Sequence, residues 1–458
     1  MARTWTLLLM LSFILASPAM ATELPDSAQR LIPTDWSQPT EASNPQGDWV
    51  LALGGDDLVT LVAQVERVSD VATADGQLRQ AQGSALQAAS GLLPSVDVSG
   101  SWQTGTPSGA FAAIADSGSM DQYSATANLS VPLTYWTSIP DQRAARADVL
   151  SAKASLQDAR ATATLDLATA WLDLAQARET LAIVEQQLQV EQDLLTVTEA
   201  RFAGGEVTGV DVLQQRQQLA TTRSDLPVAE ADVGRAERAL AARLRLPPEQ
   251  LTTLPGAMPE PVLLPLPSPR ELLSTEPGVQ SALRDWESAR SQTRSARGSL
   301  LPDVSFTAST GVRYTELVDT ELTPTWSAGV QATVPLFDGG TTWGRIRQQQ
   351  GAEFQALIQL EQEVVDVVQQ VEDALALWNQ AGAVRQSADD AEQLALEALQ
   401  AAQAGYAAGT STYNSVLTAQ QTVRTTRQSA LQAQRDQVDA ALQVVSVVRA
   451  SWTPEERG

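Results

Sequence analysis

The chain contains no cysteine and no histidine. Without cysteine there are no disulfides, no thiol chemistry and no lipid-bearing cysteine behind a signal segment. Without histidine the commonest general base and the commonest metal ligand are missing. Carboxylates and hydroxyls could still do chemistry, but no motif gathers them. Neither catalysis nor a cofactor nor a metal is therefore expected. Long hydrophobic runs are scarce too. The run from Trp5 to Ala16 is shorter than the ~20 residues a membrane helix needs. It sits between Arg3 and the small-x-small site Ala19-Met20-Ala21, the pattern of a secretory signal. No stretch of about 18 apolar residues follows, so any membrane crossing must fall to strands. Positive charge is also in short supply, with 30 Lys plus Arg against 54 Asp plus Glu and a net charge of −24. That balance disfavours phosphate-backbone binding and fits an acidic solvated surface or an acidic channel lining.

What fills the 458 residues is a long duplication. Ser90-Gly91-Leu92-Leu93-Pro94-Ser95-Val96 returns as Gly298-Ser299-Leu300-Leu301-Pro302-Asp303-Val304, and Val131-Pro132-Leu133 returns as Val334-Pro335-Leu336. Arg201-Phe202-Ala203-Gly204-Gly205 returns as Gly405-Tyr406-Ala407-Ala408-Gly409. The offsets lie between 203 and 208 residues. Such a period is too long for a solenoid unit and reads as a duplicated domain half. The organisation expected is a signal at 1–21, an extended segment at 22–55 and a first repeat at 56–250. A proline-rich connector at 251–269, a second repeat at 270–452 and a tail at 453–458 follow. Residues 22–50 carry no readable pattern. Nine prolines between Pro247 and Pro277 mark the connector, expected to run extended along the outside of the helices.

Each repeat carries two segments of period-two alternation. Val96, Val98, Gly100 and Trp102 oppose Ser95, Asp97, Ser99 and Ser101; Tyr123, Leu129, Val131 and Leu133 oppose Ser124, Thr126, Asn128 and Ser130. In the second repeat Val304, Phe306, Ala308 and Tyr314 oppose Asp303, Ser305, Thr307 and Arg313. There too Trp326, Val330, Val334 and Leu336 oppose Ser327, Gln331 and Thr333. Period two puts these sets on opposite strand faces. A soluble sandwich gives the same alternation, but three features favour a membrane barrel. The segments have the length a tilted membrane strand needs, one face is small and polar, and the aromatics Trp102, Tyr123, Tyr314 and Trp326 stand at or near strand ends. Val96, Val98, Leu129, Val131, Val304, Phe306, Val330 and Val334 are then expected to face lipid. Four strands cannot close, because an open sheet leaves unpaired edges in lipid. Two copies would supply eight strands and three would supply twelve; a conducting pore favours three.

Between Asp141 and Ala203 there is neither proline nor glycine, and Leu167, Leu174, Leu181, Leu188 and Leu195 recur every seven residues beside Ala170, Ala177 and Val184. The second copy has Leu360, Val367, Ala374, Ala381, Ala388, Ala395 and Ala402. A strict seven-residue repeat imposes left-handed supercoiling. Each long helix is expected to end at a glycine tip and return, over Val210–Leu246 and Ser411–Trp452, with Pro227 and Gly234 kinking the first return. Shorter helices are expected around Asp56–Ser90 and Arg270–Arg297.

Strand, strand, long helix, glycine tip and return helix, twice over behind a signal, resemble the outer-membrane efflux protein family, the TolC-like exit ducts. The resemblance covers about Asp56 to Trp452, most specifically at the Leu-Leu-Pro strand starts, the Val-Pro-Leu strand exits, Phe337-Asp338-Gly339-Gly340 and the two tips. It implies a mainly α chain with four membrane strands, assembled as a homotrimer with a twelve-stranded barrel and a periplasmic helical tunnel. The location implied is a Gram-negative outer membrane, with outer-membrane lipid, a periplasmic adaptor protein and an inner-membrane transporter as partners. The activity implied is passage of cargo outward, as in efflux or type I secretion. At the second tip Tyr406, Gly409 and Thr410 match the family, whereas its ring aspartates fall at Ser415 and Thr418, so that acidic ring is missing. Asp211 matches the aspartate that pairs with the tip tyrosine. It reads equally as a carboxylate at a positive helix start. The resemblance assigns adaptor docking to Gly204, Gly205, Glu206, Gly409 and Thr410, which otherwise read as turn residues. A secreted soluble coiled-coil scaffold or adhesin is the rival reading.

Overall fold

The computed structural model describes residues 24–36, 63–105, 120–247, 258–261, 263, 266–315 and 322–447. The expected signal, most of the 22–55 segment and the C-terminal tail lie outside these residues. After a short helix α1 (Asp26–Gln29) and a single 3-10 turn at Val65–Arg67 come α2 (Ser69–Ser90), β1 (Ser95–Gly105) and β2 (Met120–Pro132). The first hairpin is α3 (Ser138–Ala203) and α4 (Gly209–Arg243). The second repeat follows with α5 (Pro269–Thr275), α6 (Pro277–Gly298), β3 (Asp303–Thr315), β4 (Thr323–Thr333), α7 (Thr341–Ala407) and α8 (Tyr413–Val447). None of the described helices is long and apolar enough to cross a membrane.

The long helices have 66 and 67 residues, which at about 1.5 Å per residue makes each roughly 100 Å long. α3 begins three residues before the expected start because Pro140 falls in its first turn, where a missing N–H costs nothing. α4 runs unbroken through Pro227, where a kink was expected. The expected helix over Arg270–Arg297 is instead two helices. Glu276, held extended by the proline that follows it, ends the first, and Pro277 starts the second with Glu276 capping Val279 N at 2.6 Å.

The four strands form one antiparallel sheet in the order β1-β2-β3-β4. The helices bury two apolar clusters. One gathers Val71 and Ala74 of α2, Leu167, Trp171 and Leu174 of α3, Leu240 of α4 and Val438 and Leu442 of α8. The other gathers Val279 and Leu283 of α6, Leu360, Val364, Val367 and Trp378 of α7 and Ala440, Ala441 and Val444 of α8. α8 thus contributes to both, which ties the repeats into one body.

The seven-residue seam of the second repeat is buried at Leu360, Val367, Ala374, Ala381 and Ala395, and half-buried at Ala388 and Ala402. In the first repeat the seam drifts. Leu167 and Leu174 are buried, but toward the tip Leu181, Leu188 and Leu195 are only half-buried. The buried position there belongs to the other heptad column, at Glu191 and Thr198, which are 1% and 2% exposed. Polar residues in a buried column gave no apolar signal to read.

Residues 22–50, patternless in sequence, include a segment that the second cluster holds. Ala28 and Trp36 are buried in it, and Trp36 Nε1 donates to Pro267 O at 2.8 Å. The described parts of the connector are likewise drawn inward at Met258 and Leu263. Both connections strap the hairpin bases. Trp36→Ala should therefore destabilise the protein by about 3–5 kcal/mol in denaturant titration, the usual cost of emptying a buried aromatic site. A loss below about 1 kcal/mol would mean the strap is not part of the core.

Candidate functional site

Two regions can form a channel: the sheet and the hairpin tips. In the sheet, register decides which residues share a face. Val96 stands opposite Leu129, Val98 opposite Ala127 and Trp102 opposite Tyr123. Leu129 in turn faces Ala308, Val131 faces Phe306 and Tyr123 faces Tyr314. Phe306 faces Val330, and Val304 faces Ala332. Opposed residues point the same way, so one mainly apolar face runs across all four strands. Thr310, between Ala127 and Trp326, and the pair Thr104 and Asp121 at one end of the strands are its polar exceptions. Val334 lies one residue beyond the end of β4. Trp102, Tyr123 and Tyr314 form one row, the two tyrosine rings 6.2 Å apart, while Trp326 stands farther along, opposite Thr310.

The other face is a lattice of small polar groups. Asn128 Nδ2 donates to Asp97 Oδ1 at 2.9 Å, and the hydroxyls of Ser101 and Ser124, and of Ser309 and Ser327, meet at 2.8 Å. Such a face wets, whereas the first does not. The sheet's two edges are open: every residue of β1 and β4 is exposed, whereas β2 and β3 are partly covered.

At the far end of the helices the two tips share one backbone solution. Gly205 and Gly409 have φ of 75° and 74°, the left-handed conformation that favours glycine. Glu206 N donates to Arg201 O at 2.9 Å and Thr410 N to Gly405 O at 2.8 Å, closing each helix with a six-residue C-terminal lock. Gly204 needs no glycine: its φ is −78°, and its counterpart is Ala408. The return helices begin with matching caps of unequal charge. Asp211 accepts from Thr208 N and Thr208 Oγ1, each at 2.8 Å, in a capping box. At the second tip Thr412 and Ser415 occupy the same places, and Thr412 O accepts from Ser415 N at 3.1 Å. Ser415 is half-buried and Thr418 exposed, and neither brings charge. The ring aspartates missing from the sequence are therefore not replaced at these positions.

Within the chain Asp211 is engaged by Thr208, and Tyr406 packs at a tilt against Tyr413 with ring centroids 5.7 Å apart. The Arg201 guanidinium of the first hairpin lies 4.8 Å from the centre of the Tyr406 ring, a cation–π contact between hairpins. The residue that sequence reasoning missed is Tyr413. It is 5% exposed, and its hydroxyl donates to Gln215 Oε1 in the first hairpin. Gln215 Nε2 donates onward to Glu191 O at 3.1 Å. The signal was present: the repeat puts Tyr413 where the first copy has Gly209, so a ring occupies space that its counterpart leaves empty. Above it, Gln421 reaches Gln218 at 3.3 Å, Arg424 pairs with Asp225 at 3.4 Å and Arg435 pairs with Asp173 at 2.9 Å. These contacts make a polar seam between α8 and the first hairpin.

A wettable sheet face backed by an apolar one, and helices about 100 Å long that turn back at paired tips, define an outer-membrane channel. A family description, Outer membrane efflux protein, matches residues 63–244 and 268–448. The chain belongs to that family and is an outer-membrane exit duct of efflux systems. Among its relatives, the pyoverdine export outer membrane protein OpmQ of Pseudomonas aeruginosa is 25% identical over 343 residues, 70% of each chain. The outer membrane efflux protein BepC of Brucella suis is 30% identical over 166 residues, 35% of this chain and 36% of that one. The solved structure of the outer-membrane channel OprN shares the fold at a TM-score of 0.80 and 22% identity, covering 96% of this chain and 98% of that one. VceC of Vibrio cholerae does so at 0.75 and 22%, covering 86% and 96%.

Burial, and after it the nearby Tyr406, Asp211 and Glu191, push the Tyr413 phenol up to about 12 from 10.0, against a lowering hydrogen bond with Thr198. Because the folded chain favours the neutral phenol, this contribution to stability is full below pH 10 and fades as pH rises toward 12. Ultraviolet titration of the five tyrosines should show one late ionisation that Tyr413→Phe removes. Loss of an ordinary one, near pH 10, would place Tyr413 in water.

Proposed function

We propose that three copies of the chain close their sheets into one twelve-stranded barrel, with the apolar face against outer-membrane lipid and the polar face around an aqueous lumen. The observation that carries this reading is the single apolar face ending at two open edges. In lipid each unpaired backbone group costs several kcal/mol, so the edges must find partners. Below the barrel six hairpins, two from each chain, continue the lumen through the periplasm. The tips around Gly204, Gly205, Glu206, Gly409 and Thr410 receive a periplasmic adaptor protein, behind which an inner-membrane transporter supplies the energy.

Tyr406, Asp211, Ser415 and Thr418 are assigned to the closed end, where neutral Ser415 and Thr418 stand at the positions of the family's charged ring. Gating then depends on hairpin-to-hairpin contacts more than on bound cations. Polar cargo fits the Ser, Thr, Asn and Gln lining of the sheet, and the net charge of −24 disfavours multiply charged anions in the tunnel.

A charge placed on either face separates the two roles. Val330→Arg should sharply reduce the trimer recovered from outer membranes in detergent, since an arginine at mid-bilayer costs about 2–4 kcal/mol on a barrel's lipid face. Ser327→Arg should leave the yield within about twofold, because a lumen position stays wet. Equal losses would refute the assigned faces, and recovery of the unaltered protein as a soluble periplasmic monomer would refute the barrel.

A further inference from the structure

The duplication extends to the hydrogen-bond register of the sheet, and this allows the chain-to-chain contact to be written residue by residue. β1 corresponds to β3 at an offset of 208 residues, and β2 to β4 at 203. Shifting the β1–β2 pairs by these offsets reproduces the β3–β4 pairs. Ser95↔Ser130 becomes Asp303↔Thr333, Val98↔Ala127 becomes Phe306↔Val330, and Trp102↔Tyr123 becomes Thr310↔Trp326. The repeats therefore share one strand geometry, although few of the paired side chains are the same.

One interface in the chain has no second instance within it. β2 of the first repeat pairs with β3 of the second. Its counterpart would run from β4 to a strand equivalent to β1, and β4 is an open edge. The surfaces that would meet are bare. Val330 is 65% exposed, Leu336 is 91% exposed and Val98 is 78% exposed. In the β2–β3 interface the residue equivalent to Leu336 is Leu133, whose N–H donates to Val304 O at 2.8 Å. Hydrogen bonding in a strand alternates from side to side with each residue. Leu133 thus fixes the odd-numbered residues of β2 and the even-numbered residues of β3 as bonding each other. Carried through β1–β2 and β3–β4, the same alternation leaves the even-numbered N–H and C=O groups of β1 and β4 pointing out of the sheet.

We propose that β4 of each chain pairs with β1 of the next in the register of the β2–β3 interface. Val334 then stands opposite the partner subunit's Val98, Val330 opposite the partner subunit's Trp102, and Leu336 N–H donates to the carbonyl of Val96 of the partner subunit. Even-numbered residues meet even-numbered ones, as the outward-pointing backbone groups require. From Leu336 to Val330 apolar meets apolar, so the lipid face passes across the seam there. A slip of one residue would put Val330 against a polar residue and turn one chain's apolar row into the lumen. The inference rests on the trimeric barrel proposed above.

The absence of native cysteine makes the test clean. The proposed register sets Thr333 opposite Ser99 of the partner subunit and Gln331 opposite the partner subunit's Ser101. Both are polar-face positions of the close, non-hydrogen-bonded kind, with Cα atoms about 4.5 Å apart, within disulfide reach. A chain carrying Thr333→Cys with Ser99→Cys should, on oxidation in outer membranes, run as covalent dimers and trimers on a non-reducing gel. So should Gln331→Cys with Ser101→Cys, which stands in if the first variant fails to assemble. Thr333→Cys with Ser101→Cys, or with Asp97→Cys, should cross-link at least tenfold less, because a two-residue slip moves the Cα atoms to about 7–8 Å. Preferential cross-linking of a slipped pair overturns the register while leaving the trimer intact, as does no cross-linking in a protein that is trimeric in detergent. A protein that is monomeric in detergent overturns the barrel, and the register with it.

Discussion

The structure depends on one constraint: a β-sheet in lipid has no water to satisfy its edges. Each open N–H or C=O in the hydrocarbon region costs several kcal/mol. This chain supplies four strands with two bare edges, β1 and β4, and an apolar face that aqueous solvent would not tolerate. The proposed closure of that sheet with copies of itself accounts for the rest. Small polar residues on the inward side are what remains when lipid claims the other. The long helices then have to continue a lumen whose wall no single chain can complete.

The helices meet the same demand differently. Around their middle they are held by ordinary apolar packing around Leu167, Leu174, Leu360 and Val367, with Trp36 strapping the outside. Toward the tips the buried column changes character to Glu191, Thr198, Gln215 and Tyr413. Polar groups in a buried column are specific but weakly cohesive, since each is stable only while its partner is in place. The tip end of the helices is thus held in part by contacts that can be exchanged, and their middle by contacts that cannot. That difference suits the proposed duct, which is to yield at the tip while its middle holds.

How far the sequence carried the fold can be judged from particular residues. Strand phase was legible, because alternation over eleven to thirteen residues leaves little freedom, and the register joins Val96, Leu129, Phe306 and Val330 into the expected face. The glycine tips were legible because a left-handed residue is hard to build otherwise. The break at Glu276-Pro277 was missed because propensity favoured helix on both sides of it. Trp36 was missed because a lone aromatic in an irregular segment has no period. Tyr413 was missed because its burial comes from a contact with Gln215 of the other hairpin, although its pairing with Gly209 marked a change in packing. Local periodicities were visible in the sequence, and contacts between distant segments were not.

The most direct test of edge closure is amide hydrogen exchange on the detergent-solubilised protein. The amides of Val96, Val98, Val330 and Ala332 point out of the isolated sheet. Closure between chains predicts that they are protected to the same degree as those of Leu129 and Phe306, which lie between paired strands. Exchange of the β1 and β4 edge amides at the rate of an unstructured peptide, with the inner strands still protected, would contradict the account.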